Sequence, residues 1–125
     1  MPLPPTLTPE QRTAALAKAA EARRVRAEVK EKLKMGSLSL GELFEQGDRD
    51  DILAKLKVVS VLESLPGVGK VNAKRLLKGL DISDGRRLGG VGDKQRERLL
   101  RVVDDLEYRR DILAEARRSE ESAAR

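Results

Sequence analysis

Several residue types are missing or rare in this chain, and each absence removes a class of protein. The 125 residues include no cysteine, no histidine and no tryptophan, with one phenylalanine and one tyrosine. The absence of cysteine excludes disulfides, thiol catalysis and cysteine-based metal sites. The absence of histidine removes the commonest general base and the commonest zinc ligand. So few aromatic rings disfavour stacking on unpaired bases. We expect no metal and no cofactor.

The chain also lacks a long apolar run and a recognisable leader. Its longest apolar stretches are a few residues, too short to span a membrane. The N-terminus holds prolines where a signal peptide has a charged and then an apolar segment. We therefore expect a disordered arm over residues 1–7 and a cytoplasmic protein without a membrane partner.

Charge is abundant and unevenly distributed. Lysine and arginine number 26 against 21 acidic residues, which gives a net charge of +5. Residues 11–34 carry eight basic and three acidic residues, and residues 65–101 carry ten and four, whereas acidic residues predominate in 35–64 and 102–125. Two basic segments separated by acidic ones indicate a basic face, as on a nucleic-acid-binding protein. The alternative is a charge-rich, soluble helical surface.

The sequence predicts an all-α fold of about six helices, because no stretch alternates apolar and polar residues over strand length. Thr8–Gln11 reads as a capping box that starts a long alanine-rich helix, which ends near Met35. Larger apolar residues recur every four positions only in its second half, at Val25, Val29 and Leu33. We therefore expect the first half, with the basic cluster Arg23, Arg24 and Arg26, to project into solvent.

Further capping boxes predict short helices. Ser39–Glu42 opens one, Asp48 or Asp50 starts the next, and Ser60–Glu63 opens one that leads to a turn at Pro66. The helix after the turn ends at Gly79, and Asp93 caps a final helix that runs to about Arg118, with fraying from Ser119. The predicted aliphatic core is small: Leu40, Leu43, Phe44, Ile52, Leu53, Leu56, Leu62, Leu65, Val68, Leu76, Leu77, Leu80, Leu99 and Val103.

The most informative motif is the turn between two helices at Leu65–Leu77, which reads LPGVGKVNAKRLL. Glycine at positions 67 and 69 lets a ligand approach the backbone closely. The free N–H groups and positive dipole end of the following helix then form a natural phosphate site. Lys70, Lys74 and Arg75 lie on the predicted phosphate side. A purely structural turn is the alternative.

The turn has a partial repeat. Leu88-Gly-Gly-Val-Gly92 matches Leu65-Pro-Gly-Val-Gly69, and a basic helix follows each copy. Two such hairpins in tandem would clamp one backbone. The repeat is equally compatible with a plain helix entry, because Asp93 stands where the first copy has Lys70.

With these motifs in order, about Leu3 to Leu106 resembles the actinobacterial integration host factor family. The long Ala/Arg helix, the LPGVGK turn and the Arg-Arg-Leu loop carry the resemblance. It implies a long N-terminal helix packed on a small helix-two-turns-helix domain over residues 8–106. It also implies a nucleoid-associated protein that binds and bends duplex DNA, compacts the chromosome and supports phage integration, with an integrase as a partner on shared DNA. The implied location is the nucleoid.

Carried over by position, the resemblance assigns functions to two segments. Leu65 to Asn72, which includes Pro66 and Val68, would contact the phosphate backbone, and the loop Ile82–Lys94 would form a lid that closes on the DNA. The lid residues are Arg86, Arg87 and Lys94. Gly89 stands where the family often has a basic residue, which weakens the lid assignment. The chain continues past the family's usual end, so residues 107–125 are predicted as a helical extension that packs on the domain or on a second copy.

These features favour a DNA architectural protein, in which backbone contacts give binding with little sequence specificity. It would be a monomer and not an enzyme. A structured-RNA-binding protein of the ribosomal helix-two-turns-helix type would use the same hairpin and is the main alternative. A glycosylase or lyase with a nucleophilic lysine such as Lys70 is disfavoured, because nothing in the sequence would stack a flipped base.

Overall fold

The computed structural model describes residues 6–123, and this part of the chain is all-α. Residues 1–5 of the predicted disordered arm lie outside it. Among the described residues no helix is both long and apolar enough to cross a membrane. The helices are α1 (Pro9–Met35), α2 (Leu40–Gly47), α3 (Asp51–Ala54), α4 (Val58–Ser64), α5 (Gly69–Gly79), α6 (Asp93–Asp104) and α7 (Leu106–Ala123), with a 3-10 turn at Leu88–Gly90.

The long helix α1 begins and ends as predicted. The Thr8 hydroxyl accepts a hydrogen bond from the Gln11 N–H at 3.1 Å, and the Gln11 side chain accepts one from the Thr8 N–H at 3.0 Å. Gly36 ends the helix with a left-handed φ of 76°. Side chains along the first half are exposed, whereas Val29 and Leu33 are buried. The first half of α1 therefore extends away from the core.

Helices α2 and α3 also start at predicted caps. Ser39 and Glu42 form a reciprocal capping box at the start of α2. Of the two aspartates proposed for α3, Asp50 is the cap, since its carboxylate accepts from the Ile52 N–H at 2.9 Å. Both short helices bury one face, so their position in the fold comes from packing and their ends come from these caps.

The third predicted capping box is wrong. Helix α4 begins at Val58, and Ser60 lies inside it, where its carbonyl accepts from the Ser64 hydroxyl. The cause is a long-range contact. Lys57 is held extended by an isolated antiparallel β-bridge to Arg87, so the chain turns helical directly after it.

The predicted last helix is two helices, which makes seven helices in the described chain where about six were expected. The residue before Asp93 is the cap, because the Gly92 N–H donates to the Gln95 side chain. Asp105 is extended and its carboxylate accepts from the Tyr108 N–H at 3.1 Å. This local cap starts α7, which continues past Ser119 to Ala123.

The break between α6 and α7 is stabilised by a side chain. The Arg109 guanidinium donates to the carbonyl oxygens of Val102 and Val103 at 2.9 and 2.7 Å, which satisfies acceptors in the last turn of α6. The chain then turns and α7 packs along α5 and α6. The predicted extension is therefore part of the packed body.

The core is one apolar cluster that is aliphatic except for Phe44. Twelve of its fourteen predicted members are buried, whereas Ile52 and Val103 are only partly buried at its edge. The loops, α7 and further positions on α4, α5 and α6 add buried residues outside the predicted set. These are Leu38, Val58, Val61, Ala73, Ile82, Leu88, Val91, Val102, Ile112 and Ala116.

Candidate nucleic-acid interface

The α4–α5 hairpin has the backbone that a phosphate contact requires. Gly67 and Gly69 both have left-handed φ values, 79° and 76°, a region that residues with a side chain rarely adopt. A Cβ at either position would meet nothing within 4 Å, so the turn faces open space. Val68 between them is buried and fixes the turn to the core. The glycines are needed for backbone conformation and for access.

The start of α5 is uncapped. Within the described chain no side chain hydrogen-bonds to it, and no acceptor is supplied for the N–H groups of Lys70 and Val71. These N–H groups and the helix dipole point out of the turn beside the exposed Lys70. This is the arrangement that binds a phosphate oxygen at a helix start.

The side chains of the remaining predicted hairpin residues do not all face the same way. Lys74 is exposed and lies one turn after Lys70 on α5, whereas Asn72 is partly buried. Arg75 is also partly buried and is directed to α7, where its Nε lies 3.3 Å from a carboxylate oxygen of Glu120. Lys70 and Lys74 are thus accessible to an external anion, and Arg75 already has an internal one.

The two lid arginines face different clefts. Arg86 donates to the Gly90 carbonyl at 3.1 Å and lines a cleft beside the end of α5 together with Lys74 and Lys78. Arg87 is exposed on the other side of the loop. Lys94 is exposed in the first turn of α6. The adjacent arginines therefore do not form a single contact patch.

Arg87 belongs to a second basic cleft of about 270 Å³. Five of its lining residues are cations and none is acidic, and they come from α1, the α3–α4 connection and the lid loop. Sequence reasoning identified two of them, and Lys30 was recoverable because it follows Arg26 by one helical turn. The cations are Arg26, Lys30, Lys55, Lys57 and Arg87.

The basic cluster predicted on α1 is divided in the same way. Arg26 faces the second cleft, and Arg23 is exposed. Arg24 forms ion pairs with Glu21 and Glu28, to which its guanidinium nitrogens lie at 2.5 and 2.6 Å. Hydrogen bonding to Arg24 lowers the pKa of Glu21. Arg24 is therefore the α1 cation whose charge is locally balanced.

The second copy of the turn differs from the first. Its first three residues form a 3-10 turn, and none of its glycines has a positive φ. A Cβ on Gly89 would lie 3.0 Å from the Ala54 side chain, so this segment packs on α3. Of the two interpretations, the structure supports the plain helix entry. The described residues also contain no acidic cluster able to hold a metal ion.

The hairpin and the helices around it define the class of this protein. A family model described as the S13-like H2TH domain matches residues 33–102. The integration host factor of Streptomyces coelicolor is 58% identical over 95 residues, 76% of this chain and 88% of that protein. The integration host factor of Mycolicibacterium smegmatis is 50% identical over 100 residues, 80% and 95% of the two chains. The chain belongs to the integration host factor family of actinobacteria.

A solved structure agrees with this assignment. The structure of sIHF bound to an 8bp palindromic DNA is 52% identical, has a TM-score of 0.67, and matches 68% of this chain and 96% of that one. The resemblance noted in the sequence is thereby confirmed, as is the all-α helix-two-turns-helix fold. Helix α7 lies wholly after Val102, the last residue that the family model matches.

Proposed function

We propose that this protein is a nucleoid-associated architectural protein that binds duplex DNA through its phosphate backbone with little sequence specificity. The observation that carries the proposal is the hairpin turn, where left-handed Gly67 and Gly69 expose uncapped N–H groups beside Lys70. The relatives named integration host factor and the DNA-bound sIHF structure support the same ligand. The proposed function is to bind DNA, without catalysing a reaction.

The proposed DNA-binding residues are those predicted from the sequence, extended by the second cleft. Hairpin and lid contribute Pro66, Gly67, Val68, Gly69, Lys70, Asn72, Lys74, Arg75, Arg86, Arg87 and Lys94, and α1 contributes Arg23, Arg24 and Arg26. To these we add Lys30, Lys55 and Lys57. Arg24 would have to exchange its carboxylate partners for a phosphate, so we expect its contribution to be the smallest on α1.

Bending follows from two cation groups that lie at opposite ends of α4. The hairpin neutralises phosphates at one place, and the cleft of Arg26 and Arg87 neutralises them at another. Neutralising phosphates at separated points lets one duplex curve towards the protein. Such bending would compact the chromosome and bring recombination sites together for an integrase, which acts on the same DNA. We place the protein in the cytoplasm, at the nucleoid, as a monomer with residues 8–106 as its DNA-binding unit.

The salt dependence of binding to unrelated duplexes tests the proposal. If about five phosphates are neutralised, log K should fall with log salt concentration at a slope of roughly −4 to −5, with similar affinities for all sequences. Lys70→Ala should weaken binding to every duplex. A nearly flat salt response, or discrimination between sequences by several orders of magnitude, would refute backbone-led binding.

Structured RNA is the second candidate ligand, because the family model is described as S13-like and the sequence hairpin also resembles a ribosomal one. Competition between duplex DNA and duplex RNA of equal length separates the two. We expect DNA to compete more strongly, because the similar solved structure, 52% identical to this chain, is bound to DNA. Stronger competition by RNA would favour the alternative.

A further inference from the structure

Helix α7 brings a carboxylate to a cation of the hairpin helix. Glu120 lies near the end of α7, and its Oε2 is 3.3 Å from the Nε of Arg75, which is 45 positions earlier in the chain. The close packing of α7 on α5 places Glu120 beside Arg75. A Cβ on Gly79 would lie only 2.6 Å from the Ile112 side chain, so the missing side chain of Gly79 is what lets α7 lie so close to α5.

Glu120 also lines the cleft beside the end of α5. This cleft has a volume of about 500 Å³, and its cations are Lys74, Lys78 and Arg86. Asp81 and Asp84 are the other acidic residues on its wall. A DNA phosphate that reached this end of α5 would meet the Glu120 carboxylate among the cations. Glu120 therefore places a negative charge where a phosphate would approach, beside its ion pair with Arg75.

The Arg75–Glu120 ion pair is weak enough for a phosphate to displace it. Both side chains are partly exposed, Arg75 by 26% and Glu120 by 37%. A pair of this kind shifts an equilibrium by a factor of about 1.5 to 5. Phosphate accepts paired hydrogen bonds from arginine and is among its strongest anionic partners. The pair is too weak to exclude a phosphate and strong enough to lower its affinity.

We propose that Glu120 is an intramolecular competitor of DNA phosphate for Arg75, so that α7 lowers the affinity of the hairpin helix for DNA. The inference rests on the proposed function and adds to it. In the free protein Glu120 holds Arg75. When a duplex binds, Arg75 exchanges Glu120 for a phosphate, and the end of α7 loses that ion pair. The carboxylate that competes with DNA therefore comes from a helix that follows the matched H2TH segment.

Glu120→Gln is the direct test, with Glu121→Gln as the matched control. Glu121 is the next residue of α7, is exposed, and forms no ion pair within the described residues. Anisotropy of a labelled duplex should show that Glu120→Gln binds about two- to fivefold more tightly than Glu121→Gln at low salt. The gain should shrink as salt rises, because a partly exposed pair is screened. Equal affinities of the two variants at every salt concentration would overturn the proposal.

Adding Arg75→Gln gives a double-mutant cycle with Glu120→Gln. If Glu120 acts through Arg75, Glu120→Gln should give no gain in an Arg75→Gln background. A gain that persists there would also overturn the proposal, because Glu120 would then act through overall charge. Circular dichroism melting of each variant checks that the helices remain. Failure of the proposed function looks different, since wild-type protein would not bind the duplex or Lys70→Ala would bind it equally well.

Discussion

Lys57 and Arg87 are adjacent because their backbones form an antiparallel β-bridge. The Val58 N–H donates to the Arg86 carbonyl at 3.0 Å, and the Leu88 N–H donates to the Leu56 carbonyl at 2.8 Å. The bridge attaches the lid loop to the start of α4 and fixes two cations side by side. Repulsion between fixed like charges is relieved when an anion binds between them. The second basic cleft is therefore built by backbone pairing.

The left-handed turn predicts a stability cost for a side chain at Gly69. Its φ of 76° is unfavourable for alanine, although a Cβ there has open space. Gly69→Ala should lower the free energy of unfolding by about 1 to 2 kcal/mol. Urea denaturation measures this, with Gly85→Ala as control, since Gly85 also has open space and lacks a positive φ. Equal stabilities of the two variants would contradict a conformational role for Gly69.

The contact between α5 and α7 predicts a larger effect of alanine at Gly79. The new Cβ would lie 2.6 Å from Ile112 Cγ2 and 3.1 Å from its carbonyl oxygen. Gly79→Ala should therefore destabilise the protein by about 1 to 3 kcal/mol. At Gly41, inside α2, a Cβ would make an ordinary contact of 3.7 Å, and alanine there should stabilise by about 0.5 to 1 kcal/mol. A neutral Gly79→Ala would show that α7 packs loosely.

The ion pair between Asp48, which follows the end of α2, and Arg96 on α6 predicts an acid-dependent loss of stability. Two hydrogen bonds from Arg96, at 2.7 and 3.1 Å, lower the pKa of Asp48 below its usual 3.8. A lowered folded-state pKa stabilises the protein above the unfolded pKa, and this contribution is lost as the pH falls through the folded value. Denaturation midpoints from about pH 5 to pH 2 should fall less steeply in Asp48→Asn. An unchanged pH profile would contradict the assignment.

The exposed half of α1 predicts a response to DNA. Side chains from residue 6 to residue 21 are all exposed, including Leu16 at 64%. A helix without a packed face is only marginally stable in water. Amide exchange in residues 6–20 should therefore be fast in the free protein and slower in the DNA complex. Equal protection in both states would make this half of α1 independent of DNA.

Local chemistry determined what the sequence could predict about the fold. The starts of α1 and α2 follow from side chains that hydrogen-bond within three residues, and the end of α1 follows from the left-handed backbone of Gly36. The start of α4 did not, because Lys57 is held by Arg87, 30 positions later. The break at Asp105 was missed because helical periodicity continues through it, although its aspartate cap and Arg109 were visible in the sequence.

In the candidate site, too, local features were predictable from the sequence and long-range contacts were not. The hairpin glycines and Lys70 lie within one continuous motif, so their arrangement could be read directly. The grouping of Arg26 with Lys55 and Arg87 depends on tertiary packing, and no spacing in the sequence indicates it. Nor could the sequence show that Arg75 and Glu120 are partners, since α7 reaches α5 only because Gly79 leaves room.

End-to-end energy transfer on a doubly labelled duplex measures whether the two cation groups bend it. Wild-type protein should raise the transfer efficiency. Arg26→Gln combined with Arg87→Gln should keep hairpin binding and lose most of that rise. Arg110→Gln with Arg118→Gln removes the same charge from exposed positions on α7 and should bend the DNA as wild type does. Full bending by the Arg26 and Arg87 variant, at saturation, would show that the second cleft does not bend the duplex.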